Sequence, residues 1–355
     1  MPVSGIRRQP LYGERMAAQV NDAAWLAWIE QLTGEPLHPV PGLPRSLFYC
    51  RLDDQPDHLV PARFLLRPGF WEGLAGRPLF VNPEFFFARD QKSFEQSPMP
   101  FATPGDLLWI PDAICGPLPF CLGPKLAAKF ARLKPGDQAP ASLSPETRRT
   151  LTMANLLVAE NYADEQRQRW HETVSRCRPL FQQKGYVPVA GLIHPFHVAA
   201  LRRYYRHHIR TGKIPLGDHQ SSLRYVAHNE PVARFFHRRL TGAVSAIAGE
   251  PVKPSYVYMA SYQPGAILKK HTDREQCEFS ITLCLDYAPE PRVATPWPLR
   301  LHLESGQVTV YQALGDALVY RGCQIPHSRE ALPAGHTSTS IFFHYVREDF
   351  TGSLD

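Results

Sequence analysis

The sequence predicts an α+β chain that closes in an all-β region, and three observations carry that prediction. Short β-branched and aromatic runs recur between residues 254 and 346, helical patterns with glycine stops precede them, and 21 of the 35 prolines fall in the first 145 residues, where uninterrupted helix is therefore disfavoured. With 355 residues, 44% hydrophobic and 20% charged, the chain can bury a large core, which excludes disulfide-stapled mini-proteins, collagen-like repeats and long coiled coils.

Residues 1–140 read as a Pro- and aromatic-rich module. Apolar pieces at 64–66, 79–81, 85–87 and 107–110 are separated by Pro and Gly, which suggests short strands, and the three-Phe run at 85–87 reads as core. The small, polar, proline-bearing stretch 134–144 marks a boundary. A helical connector is expected over 141–184: Ser144 supplies an N-cap hydroxyl, Pro145 suits the first helical position, and Glu146 complements the helix dipole. Leu151, Ala154, Leu157 and Val158 continue the helical spacing, so this helix is expected to run through Trp170 and Val174 to Pro179.

The last region, 185–355, opens with helices at 195–211 and 231–248, stopped by Gly212 and Gly249. The first carries Arg202, Arg203, Arg206, His207 and Arg210 on one face, read as a solvated surface or a substrate contact. Strands are then expected at 256–262, 267–273, 279–287, 299–303, 308–311, 317–320 and 337–346, with turns at 304–307 and 333–335. Such spacing predicts a sandwich or barrel.

Charge and cysteine usage narrow the partners. The 39 basic and 33 acidic residues give +6 without a concentrated basic run, which suits an anionic substrate better than nucleic acid. The seven cysteines are odd in number and none sits at the close paired spacing of a zinc or redox motif, as expected in a reducing cytoplasm. No signal peptide reads at the start and no apolar run approaches the ~18 residues that span a bilayer. The expectation is a cytoplasmic protein without a membrane, acting on a small-molecule or peptidyl substrate.

Within the β region stand His271-Thr272-Asp273 and, 54 residues after Asp273, His327. Residues i and i+2 of a strand share a face, so His271 and Asp273 are expected to point together into a barrel. Two imidazoles and one carboxylate are the donor set of non-haem Fe(II) with open positions. The context, Tyr262-Gln-Pro-Gly265 before the pair, the apolar run 279–286 after it and Gly315-Asp316 leading toward His327, resembles the double-stranded β-helix (jelly-roll, cupin-like) core of the Fe(II)- and 2-oxoglutarate-dependent dioxygenases, in particular the prolyl-4-hydroxylase-like branch, over residues 185–350.

That resemblance implies Fe(II) held by His271, Asp273 and His327, 2-oxoglutarate as bidentate cosubstrate, and O2 at the remaining position. Decarboxylation to succinate and CO2 would then accompany hydroxylation of a substrate C–H. Halogenating relatives lack the carboxylate, so Asp273 points to hydroxylation. Oxidative nucleic-acid demethylation and a non-catalytic β-barrel binding module are the alternatives.

The family's usual base, about ten residues past the distal histidine, is replaced here by Thr337, with Thr339 matching the hydroxyl often found beside it. Arg329 is expected to take over the far carboxylate of 2-oxoglutarate, because it shares a strand face with His327, and a hairpin closed at 333–335 would set it opposite Thr339. A subgroup with His-x-Arg-Glu and Phe-x-His-Tyr elements resembles this chain at His327–Glu330 and Phe342–Tyr345; Arg321 and His336 are the competitors. Tyr262 stands where a phenol often bonds the cosubstrate. Arg274 reads as a contact for an anionic substrate or a cap on the barrel mouth, whereas His344, Tyr345, Cys277, Cys284 and Cys323 read as packing.

Overall fold

The computed structural model describes residues 48–52, 58–61, 64, 77–87, 99, 107–130, 132–218 and 220–355. Five short strands come first: β1 (Arg51–Leu52), β2 (Phe80–Val81), β3 (Phe86–Phe87), β4 (Leu107–Ile110) and β5 (Leu118–Leu122). Strands β1, β5, β4 and β3 lie side by side in that order, and β2 pairs with β6 (Leu157–Val158). The expected pieces at 79–81, 85–87 and 107–110 are thus strands; most of 64–66 lies outside the described residues. Phe48 packs edge-on against both Tyr204 and Phe236, so this sheet shares one hydrophobic cluster with the helices that follow.

Six helices are described: α1 (Pro124–Phe130), α2 (Pro145–Met153), α3 (Tyr162–Lys184), α4 (Pro195–Arg210), α5 (Pro231–Arg239) and α6 (Thr241–Ala248). Helix α2 starts as expected, the Thr147 N–H donating to Ser144 Oγ at 3.1 Å. It does not run on to Pro179. Asn155 and Asn161 both turn left-handed, at φ 63° and 65°, a conformation asparagine tolerates, and β6 fits between them. Helix α3 then continues past Pro179 to a left-handed Gly185, the proline forfeiting one ladder bond. The expected single helix at 231–248 is likewise two, divided at Leu240.

The basic face of α4 is largely engaged within the fold, with Arg210 at its end left exposed. Arg202 is fully buried and donates to Asp286 Oδ1 at 3.0 Å and Glu290 Oε2 at 2.7 Å. Arg206 donates to the same Asp286, and Arg203 lies 3.8 Å over the Tyr49 ring. Arg202 and Arg206 clamp the helix to the β region, and Arg203 ties it to Tyr49.

That region consists of β7 (Tyr186–Ala190), β8 (Arg224–His228), β9 (Val252–Tyr262), β10 (Leu268–His271), β11 (Phe279–Ala288), β12 (Leu299–Leu303), β13 (Gly306–Val310), β14 (Asp316–Tyr320), β15 (His327–Arg329) and β16 (Thr337–Arg347). They form a six-stranded antiparallel sheet, β7-β14-β11-β16-β9-β8, and a four-stranded one, β10-β15-β12-β13. Alternation along β16 divides its faces: Ile341, Phe343 and Tyr345 join the cluster shared with the helices, whereas Phe342 joins Tyr262, Cys284, Tyr287 and Trp297 between the sheets. Leu299 and Leu301 of β12 meet Leu318 and Tyr320 of β14 across the same interior. The turn at 333–335 closes no hairpin between β15 and β16, because β15 pairs with β10 and β12 while β16 lies in the other sheet. It carries the chain from one sheet to the other. Among the described residues, no helix is long and apolar enough to cross a membrane.

Candidate metal centre

His271 ends β10 and His327 begins β15, and the two are directly paired across the strands, which sets their rings 4.4 Å apart. Asp273 reaches them by another route than strand alternation. It lies beyond the end of β10, held by its N–H to Gly322 O at 3.0 Å, and presents Oδ1 at 3.6 Å from the Nε2 of each histidine. The three donor atoms all lie within 4.8 Å of one another. These three donors are close enough together to hold one metal ion.

The imidazoles are oriented for that task. His271 Nδ1 lies 2.8 Å from Lys269 O and His327 Nδ1 lies 3.0 Å from Ile325 O. Carbonyl oxygens only accept, so both Nδ1 atoms carry a proton and both Nε2 atoms turn toward Asp273. The second carboxylate oxygen, Oδ2, accepts from Ser280 Oγ at 3.1 Å and from the Tyr320 hydroxyl at 3.3 Å. Ser280 spends its only proton there, so it accepts from His344 Nδ1–H at 2.9 Å. A Cβ on Gly322 would stand 2.4 Å from Asp273 Oδ2 and 2.5 Å from Ser280 Oγ, so only glycine lets this loop approach.

Charge follows geometry. Burial opposes ionisation of Asp273, but the hydrogen bond to His271 and the pull of His327 and His344 outweigh it and hold the carboxyl at about 2. The bond to Asp273 raises the His271 imidazole, while burial lowers His327. Burial also pushes His344 down to about 4, so it is neutral near pH 7. The His327 side chain is 4% exposed and that of His271 40%, so the centre opens to solvent on the His271 side.

Arg329 lies in the same interior: on β15 it and His327 are buried and flank the partly buried Ser328. Its guanidinium donates to Trp297 O at 2.5 Å and to Gln312 Oε1 at 3.5 Å and lies 4.6 Å over the Trp297 ring. Gln312 is itself fixed, donating through Nε2 to Thr282 O at 2.9 Å and Asp316 O at 3.1 Å. Burial lowers the Arg329 pKa, and the ionisable groups that act on it most are three phenols and a thiol, Tyr262, Cys284, Tyr320 and Tyr287, none of them a carboxylate. Among the described residues, no carboxylate lies within ion-pair distance of this 5% exposed arginine.

Tyr262 shares this interior, buried with its ring 5.1 Å from Trp297. The two threonines do not. Thr339 lies across from Asp286 and Ser261 and donates to Ser261 Oγ at 2.9 Å, on the sheet face turned toward α4, and Thr337 shares its parity. With no β15–β16 hairpin, nothing sets Arg329 opposite them; Ser338 and Ser340 are the inward neighbours. Of the competitors, Arg321 lies over Phe181 and Phe279, and His336 Nδ1 meets the Tyr287 hydroxyl at 2.9 Å. Sequence reading missed Ser280, Tyr320, Gly322, Trp297 and Gln312, and took His344 for packing. Only His344 carried a signal, its even spacing from Phe342. All seven cysteines are free.

No protein-family profile and no curated relative match this chain. Solved structures do. They include a prolyl-4-hydroxylase from Pseudomonas putida (19% identity over 50% of this chain and 100% of that one, TM-score 0.41) and an oxidoreductase of the 2-oxoglutarate–Fe(II) oxygenase family from Burkholderia pseudomallei (14%, 51% and 92%, TM-score 0.40). A third is HygX from Streptomyces hygroscopicus with nickel and 2-oxoglutarate bound (12%, 50% and 88%, TM-score 0.40). The solved structures that this chain resembles thus include a prolyl-4-hydroxylase and a 2-oxoglutarate–Fe(II) oxygenase, beside an alpha-ketoglutarate-dependent epimerase and carbocyclase.

Proposed function

We propose that the protein is an Fe(II)- and 2-oxoglutarate-dependent dioxygenase that hydroxylates an unactivated C–H bond of a protein side chain, an amino acid or a small natural product. On this reading the two sheets form a double-stranded β-helix, β14-β11-β16-β9 facing β10-β15-β12-β13. The observation that carries the cosubstrate is Arg329, a buried guanidinium with no carboxylate beside it among the described residues. An uncompensated buried charge is costly, and a dicarboxylate seated between Arg329 and the ion removes that cost.

Two neutral imidazoles and one ionised carboxylate fit Fe(II) by the chemistry of their donors. With 2-oxoglutarate and O2, the ion supplies the oxidising power. The chain's residues position and shield. His271, Asp273 and His327 hold the ion, and Ser280 and Tyr320 keep Oδ2 occupied so that Asp273 binds through one oxygen. Arg329, steadied by Trp297 and Gln312, grips the far carboxylate of 2-oxoglutarate, with the Tyr262 phenol beside it.

Anaerobic addition of Fe(II) and 2-oxoglutarate should give the weak visible charge-transfer band of a bidentate chelate, and O2 should then yield succinate. Arg329→Ala should raise the 2-oxoglutarate concentration needed for half of that band by about 100-fold, the loss of a charged, buried contact, with iron affinity nearly unchanged. Absence of the band in the native chain would end this reading.

A further inference from the structure

We infer that the mouth of the metal centre carries a receptor for a carboxylate of the primary substrate, built from Arg274 and His228 against Tyr256, and that Asp355 of the same chain occupies it here. This deepens the oxygenase reading and rests on it for the word substrate alone; the receptor itself stands on geometry.

Tyr256 of β9 is the platform. Its ring packs 4.7 Å from His344, which is linked through Ser280 to the ligand Asp273, and its hydroxyl lies 3.1 Å from Cys277 Sγ. Two cation-forming side chains meet this one buried ring. The Arg274 guanidinium lies 4.8 Å from its centroid and the His228 ring, at the end of β8, lies 5.3 Å from it. Arg274 directly follows Asp273, so the platform borders the centre itself. Among the described residues, no carboxylate is within ion-pair distance of Arg274, although the residue is exposed. The guanidinium over this ring is held by a hydrogen bond to the Tyr256 hydroxyl, which leaves its other N–H groups for a carboxylate.

The chain itself shows what the receptor takes. Asp355 Oδ1 lies 3.4 Å from His228 Nε2, and the same carboxylate acts electrostatically on Arg274. The contact is loose: the Asp355 side chain is 66% exposed and that of His228 45%, so a better-fitting carboxylate can displace it. A free amino acid and an acidic side chain of a peptide both offer such a carboxylate, and both are arms of one test.

The full chain, holding Zn(II) and 2-oxoglutarate, is labelled in its histidine rings, and the His228 signal is followed by NMR. L-glutamate and the peptide N-acetyl-Ala-Glu-Ala-amide are the two probes. Asp355→Asn should shift the His228 signal and tighten the better probe several-fold by removing the internal occupant. Arg274→Ala in that background should weaken the same probe by about tenfold, the loss of a charge-assisted hydrogen bond. The probe that binds more tightly identifies the source of the carboxylate. No saturable response of His228 to either probe in the Asp355→Asn protein, or one that Arg274→Ala leaves unchanged, would overturn the receptor. The oxygenase reading is judged separately, by the Fe(II)–2-oxoglutarate band, so either can fail alone.

Discussion

The six-stranded sheet buries an arginine on each of its faces, on opposite terms. On the helix side Arg202 meets Asp286 and Glu290, with Arg206 on the same aspartate, so charge is matched within the chain. On the interior side Arg329 meets a carbonyl, an amide oxygen and an indole face, and its ionisable neighbours are tyrosines and a cysteine. The first arrangement fastens a helix. The second leaves a charge for a molecule from outside to match. Burial alone does not separate structural from receptive arginines; the partner's charge does.

The contrast is most sharply tested by replacing each arginine with methionine in protein free of 2-oxoglutarate. Arg202→Met should lose about 3 kcal/mol in urea unfolding, because buried Asp286 is left with Arg206 alone. Arg329→Met should be neutral or stabilising within about 1 kcal/mol. Equal losses would erase the distinction. Next in size, Asp273→Ala should weaken Fe(II) at least about 100-fold in anaerobic competition with a chelating dye, since it deletes an anionic donor. Ser280→Ala, which frees Oδ2 without touching a ligand, should weaken it about tenfold by the same assay, and Gly322→Ala should do so by crowding the same oxygen. An unaltered affinity in both would show that Asp273 needs no support.

The remaining effect is on pH. Burial pushes both His197 and His237 down to about 3, so the folded chain keeps them neutral while the unfolded chain protonates them near 6.5. Their contribution is complete above pH 6.5 and falls as the pH drops from there toward 3, at up to about 1.4 kcal/mol per pH unit for each. The urea midpoint should decline across that window, and His197→Gln should flatten the decline. A midpoint constant between pH 7 and pH 4 would contradict their neutral burial.

Sequence made His271, Asp273, His327 and Arg329 visible because each pairs a chemically distinctive side chain with short spacing. It also gave most of the strands from residue 254 on, whose alternation is local. What it hid depends on register. The parity of β16 is set by pairing with β9 and β11, and the sequence could not show that Ser338 and Ser340, not Thr337 and Thr339, face inward. A bulge at Leu285 further shifts the parity of β11, which turns Asp286 toward α4. Ser280, Tyr320 and Gly322 come from three different segments, and nothing in their own neighbourhoods announces a carboxylate. The break of the 141–184 helix turned on two asparagines, which helical periodicity does not weigh.

One further property of the two ligand histidines concerns timing. Each ring is pinned by the carbonyl of the residue two positions earlier in the chain, so the choice of which nitrogen faces the ion is written into a tripeptide and needs no help from distant parts of the chain. An arriving cation therefore finds both Nε2 atoms already turned toward its place. It displaces solvent but has no imidazole to flip, and its capture is governed by access past His271 more than by rearrangement of the protein.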